Sequence, residues 1–168
     1  MRRALIALPL AAIAAVAAAA AAAGGGPEHR AGGGHEHQAG VTIEPLASAQ
    51  IVSRVRAEGN GIQLRTNGPK ATLTARVTLE PGGSLGWHSH PGPVLVTVES
   101  GTFSLTQVEN RRCRTHRYGP EDAFVEDGGR VHLGRNETQQ EVRVLATFLA
   151  RMGTTAFTRP ELTPEQCR

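Results

Sequence analysis

The chain is almost without lysine and nearly without cysteine, and both scarcities narrow what it can be. Lys70 is the only lysine in 168 residues, so the basic residues are nearly all arginine, a pattern of compositional bias rather than of a binding surface. A formal net charge of +3 at pH 7 is too small to imply a nucleic-acid partner. The arginines Arg111, Arg112, Arg114 and Arg117, with His116, cluster around Cys113 without interleaved aromatics, which excludes a stacking platform for single-stranded nucleic acid. They read as a solvated loop, the alternative being a contact for an acidic partner. The two cysteines, Cys113 and Cys167, have no close-spaced ligand partners, so a zinc–thiolate site is excluded. In an exported chain such a pair reads as a disulfide that ties the C-terminal segment to the body, and otherwise as two unrelated thiols. No segment carries the 3.6-residue apolar period of an amphipathic helix.

The N-terminal segment is the one long apolar run. Arg2 and Arg3 precede Ala4–Ala23, and the run closes on Ala21-Ala22-Ala23 before Gly24. A basic start, an apolar stretch and small residues at the end predict a secretory signal over residues 1–23. The run is long enough to span a bilayer, so an uncleaved anchor is the competing reading. Alanine is only mildly apolar and the cleavage pattern is present, so no stable membrane anchor is expected after processing. No cysteine follows the run to accept a lipid. The expected location is secreted or periplasmic, and cleavage lowers the formal charge by two. Residues 24–40 are a Gly-rich linker containing His29, His35 and His37. It reads as a solvated tether. A weak metal-scavenging tail is the sharper alternative, at the cost of ordering a flexible segment.

Beyond the linker the pattern is β. Residues 41–69 read as an N-terminal extension, with one or two peripheral strands in Val41–Glu58 and a helical turn around Ala47–Ile51. Asn60-Gly61 and Asn67-Gly68-Pro69 are turn signals. In residues 70–150, Ala71, Leu73, Ala75, Val77 and Leu79 alternate with Thr72, Thr74, Arg76 and Thr78, a half-buried strand. Val94–Glu99 and Thr102–Val108 read as strands joined by a tight hairpin at Ser100-Gly101. Ala123–Glu126, Val131–Gly134 and Glu141–Leu149 supply further strands, and residues 151–168 form a C-terminal tail. Many short strands with Gly and Pro turns predict an all-β antiparallel barrel or sandwich enclosing a pocket.

Within that pattern one stretch bears chemistry: Gly82-Gly83-Ser84-Leu85-Gly86-Trp87-His88-Ser89-His90, just after Pro81. Side chains two apart on a strand share a face, so His88 and His90 aim at one space and Trp87 at the other. A distant third histidine, His132, follows Gly129 and precedes Asn136. Neutral imidazoles converging from two strands form a transition-metal site.

These residues resemble the cupin superfamily, over roughly Lys70 to Leu149. Gly82, His88, His90 and Gly101 match its first signature, and Gly119 through Gly129, His132 and Asn136 look like its second. The resemblance implies a small jelly-roll barrel with His88, His90 and His132 as metal ligands, and Asn136 bracing the following loop. Two positions depart from the pattern. Val94 stands where the signature has a glutamate ligand, and Asp127 stands where it has a turn proline. A three-His site without a carboxylate prefers Fe, Zn, Cu or Ni to Mn or Mg. Of the carboxylates Glu99, Glu109, Glu121, Asp122, Glu126 and Asp127, none is placed by the sequence within reach of the histidines, so no acid–base residue is assigned. The expected function is an exported barrel that binds a metal or small ligand. A metal-dependent dioxygenase or isomerase, since three-His iron sites occur in cupin-like dioxygenases, and a metal-free structural barrel are the alternatives. A homodimer is left open.

Overall fold

A computed structural model describes residues 39–168, so the expected signal, and all of the linker but Ala39 and Gly40, lie outside the described residues. Eleven strands follow one another: β1 (Ala39–Ile51), β2 (Arg56–Gly59), β3 (Ile62–Arg65), β4 (Lys70–Ser89), β5 (Val94–Ser100), β6 (Phe103–Glu109), β7 (Arg112–Tyr118), β8 (Ala123–Glu126), β9 (His132–Arg135), β10 (Val142–Arg151) and β11 (Arg159–Pro160). A single 3₁₀ turn at Glu165–Cys167 is the only helical element among the described residues.

The barrel is organised around β4. Its first half pairs with β10 on one side and β1 on the other. Its second half pairs with β9 and, at His88 and Ser89, with β11. The rest of the antiparallel sheet runs outward in the order β7-β6-β9-β4-β10-β5-β8. The strand alternation read from the sequence puts Ala75, Val77 and Leu79 inside. They pack with Val94, Val96, Val98, Phe103, Leu105, Phe124, Val142, Val144 and Ala146, with Ala75 beside this cluster.

Four local expectations need correction. The strand begins at Ala39, so β1 takes in the end of the expected linker. Ala47–Ile51 is not a helical turn: those residues continue β1 in register with Lys70–Thr74. Two peripheral strands do occupy 41–58, β1 and the start of a hairpin in which β2 pairs with β3 around Asn60 and Gly61, both at positive φ.

β4 runs through Pro81-Gly82, with Gly82 at φ 76°, and continues to Ser89. Most consequential is Ser100-Gly101. β5 pairs with β10 and β8, while β6 pairs with β7 and β9, so the two are not a hairpin but a corner between opposite walls. Gly101 makes it at φ 76°, and a Cβ there would lie 2.5 Å from the Glu141 carbonyl oxygen. The arginine cluster, finally, is a strand rather than a loop. β7 is the exposed sheet edge, entered through Asn110 and Arg111 at positive φ, with Arg117 ion-paired to Glu137.

Cys113 of β7 is bonded to Cys167, across a separation of 54 residues. The chain-entropy account assigns such a loop roughly 4 kcal/mol. Reduction is therefore expected to lower the melting temperature clearly, and Cys167→Ser to do the same without reductant. An unchanged melt with two titratable thiols in the native protein would rule the bridge out.

Candidate metal centre

His88, His90 and His132 come together although they leave different parts of the chain. His88 and His132 are direct partners across β4 and β9. Opposed residues of an antiparallel pair project to the same face, so both imidazoles enter the interior. His90 follows two residues after His88 and shares its side. Ring centroids are 4.3 Å apart for His88–His132, 4.8 Å for His88–His90 and 5.0 Å for His90–His132. All three are buried, His132 to 1 % exposure. One nitrogen from each ring lies within 4.8 Å of the others, a group that could hold a metal ion.

What each ring does with its other nitrogen decides the chemistry. Nδ1 of His88 meets the Gly86 carbonyl at 2.8 Å, that of His90 the Phe157 carbonyl at 2.8 Å, and that of His132 the Arg130 carbonyl at 2.9 Å. A carbonyl only accepts, so every Nδ1 carries the hydrogen and every neutral ring has its lone pair on Nε2. That is how metal-bound histidines are oriented by their outer partners. Nε2 of His132 is buried without a hydrogen-bond partner, the kind of orphaned acceptor a cation satisfies. The residues present therefore fit a bound divalent metal.

The local sequence builds these acceptors. Between Ser84 and Trp87 the β4–β9 register shifts, with Gly86 at φ 68°, and this bulge turns the Gly86 carbonyl onto His88. Gly92 lets the chain turn back after His90 because it has no Cβ: one there would lie 1.9 Å from the Leu149 carbonyl oxygen. Asn136, 1 % exposed, binds the Leu79, Glu80 and Gln140 carbonyls through Nδ2 and accepts from Thr138, fastening the loop after β9 to β4. Trp87 is buried on the other side of β4 from the imidazoles, opposite Leu133. The C-terminal segment is more than a tail. Beyond the Phe157 carbonyl, Arg159–Pro160 pairs with His88 and Ser89, and Ser89 Oγ donates to Glu161 at 2.7 Å.

Sequence reasoning placed no carboxylate here, and Glu126 corrects it. It sits on β8 with 7 % exposure, not on an outer face. Its Oε2 lies 3.2 Å from Nε2 of His90 and its Oε1 3.4 Å from Nε2 of His132. The β8 pattern of Ala123, Phe124, Val125 and Glu126 carried the signal, since alternation puts Glu126 on the buried side with Phe124.

Burial, reinforced by the neighbouring His132, lowers the His88 pKa to about 4. His132 is lowered as well, chiefly by burial. For Glu126 burial pulls upward, but the contact with His90 and the charges of the surrounding imidazoles prevail and hold the carboxyl below its ordinary value. The rings at 88 and 132 thus favour the neutral form that ligates a metal.

A family model described as the Cupin domain matches residues 75–148. Peruvianin-I, a cysteine peptidase from Thevetia peruviana latex, is 20 % identical with a TM-score of 0.50, over 79 % of this chain and 73 % of its own. A cupin superfamily protein from Desulfitobacterium hafniense is 14 % identical with a TM-score of 0.47, over 74 % and 94 %. An oxalate oxidase in complex with the substrate analogue glycolate is 18 % identical with a TM-score of 0.47, over 69 % of this chain but 54 % of that enzyme. No curated protein matches. At this identity the likeness to Peruvianin-I concerns the fold alone.

The depressed pKa of His88 has a measurable consequence. The unfolded chain protonates this residue near 6.5, the folded one only near 4, so between those values the unfolded state binds more protons. Stability of the metal-free protein should therefore fall as pH drops from 6.5 towards 4, by roughly 3 kcal/mol in full. Glu126 adds loss in the same direction at the acid end. Denaturant melts after chelation should show this slope, and His88→Gln should flatten it. A wild-type curve flat over that range would contradict the burial of His88.

Proposed function

Residues 75–148 belong to the cupin superfamily, and on that footing we propose that this chain binds one divalent transition metal through Nε2 of His88, His90 and His132. The observation that carries the reading is the commitment of all three Nδ1 hydrogens to carbonyls, which leaves the Nε2 lone pairs facing inward, that of His132 without a hydrogen-bond partner. Nitrogen donors select Fe(II), Zn, Cu or Ni over Mg. A metal so held supplies Lewis acidity to an oxygen-bearing small ligand. The chain's own part is to fix the rings, exclude bulk water from them and keep them unprotonated. We place the protein outside the cytoplasm, on the strength of the disulfide and the N-terminal signal pattern.

A second reading, a metal-dependent enzyme, is favoured by one observation: Glu126 puts a buried carboxylate against the ligand nitrogens. Carboxylates in such positions ligate, or hold a proton during turnover. Turnover of a small oxygenated acid by metal-loaded protein, lost on chelation, would favour this reading over simple binding.

Protein prepared without an affinity tag is expected to hold close to one equivalent of metal by elemental analysis. His88→Ala and His132→Ala should each abolish tight binding while the far-ultraviolet spectrum stays that of the folded barrel. Full metal content in both variants would refute the assignment.

A further inference from the structure

We propose that Glu126 is itself a metal ligand, and that the carboxylate absent from position 94 is supplied from the adjacent strand. This rests on the three-histidine reading above and goes beyond it by naming a fourth donor.

The β5–β8 ladder provides the geometry. Val94 and Glu126 are direct antiparallel partners. Opposed residues on such a pair have Cβ atoms about 5 Å apart and point to the same face. A carboxylate carried at 126 therefore reaches the interior beside the place where one carried at 94 would. Val94, at 0 % exposure, fills the vacated space as part of the apolar core.

Charge supports the same assignment. The polar contacts of the Glu126 carboxylate are Nε2 of His90 and Nε2 of His132. These are the very atoms that carry the lone pairs. A carboxylate 7 % exposed and set against ring nitrogens that carry lone pairs is placed where a cation would bind. One cation among the three Nε2 atoms and Glu126 neutralises the carboxylate and satisfies every lone pair at once. The other occupant the space allows is a proton shared between Glu126 and an imidazole, which would make Glu126 a plain ion-pair partner.

Co²⁺ distinguishes the two, because its visible spectrum reports its donors. Wild type, Glu126→Gln and the exchange variant Val94→Glu/Glu126→Val are titrated with Co²⁺ against a chelating competitor. Glu126→Gln keeps shape and removes charge, and it is expected to weaken Co²⁺ by roughly 100-fold and to alter the visible bands. The exchange variant, returning the carboxylate to the signature position, is expected to recover most of the affinity. Wild-type affinity and spectrum in Glu126→Gln would overturn the proposal while leaving the three histidines in place. Should Glu126→Gln fail to fold, the exchange variant decides alone: tight binding with bands close to wild type supports the proposal, and binding no better than that of Val94→Leu/Glu126→Val opposes it. No Co²⁺ uptake by wild type, with His88→Ala no different, would overturn the three-histidine reading and this one with it.

Discussion

Three hydrogen bonds from imidazole Nδ1 to main-chain carbonyls decide what the interior of this barrel can do. Without them, each neutral histidine would be free to exchange tautomers and rotate, and the three rings would be a polar plug. With them, the hydrogen is fixed outward and the lone pair inward on every ring. The acceptors come from separate origins: a bulge in β4 at Gly86, the loop before β9 at Arg130, and the C-terminal segment at Phe157. Barrel and C-terminal segment thus complete the site together. The disulfide at Cys167, the pairing of β11 and the Glu161–Ser89 contact all hold that segment in place.

Much of this was legible because strands announce themselves by alternation. Ala75, Val77 and Leu79 gave away the buried face of β4, and the spacing of His88 and His90 gave away their common direction. The illegible parts share one physical feature, which is dependence on partners distant in sequence. Ser100-Gly101 looks alike in a hairpin and in a corner, since both need a residue at positive φ; only the pairing of β5 with β8 and β10 tells them apart. β7 shows no apolar alternation because its residues lie at an exposed edge, so its arginines passed for a loop. The C-terminal segment has no periodicity because it contacts the barrel mainly through its main chain.

Glu126 is the instructive case. Judged by position it stands beside a turn, two residues from Gly128, and nothing local distinguishes it from Glu121 or Asp127. Alternation within β8 would have turned it inward with Phe124, but a four-residue strand is a short basis for a phase. The decisive fact is the register that sets it opposite Val94. A missing signature residue is therefore weak evidence of a missing function, because a cross-strand neighbour can deliver the same group to the same space.

The distribution of polarity inside the barrel follows from that arrangement. The apolar cluster fills the space among β4, β5, β6, β8 and β10, while three histidines and one glutamate are buried where β4, β8 and β9 approach the C-terminal segment. Such a polar group lowers the stability of the metal-free chain, since desolvated imidazoles and a buried carboxylate return little energy. The same deficit becomes affinity when a cation enters, because binding to the native state alone adds its free energy to folding. Stability and metal binding are then one linked equilibrium, and the disulfide takes on a second meaning. By fastening the segment that supplies the His90 acceptor, it stabilises the barrel in the state where its polar interior is least favourable, before any ion has arrived.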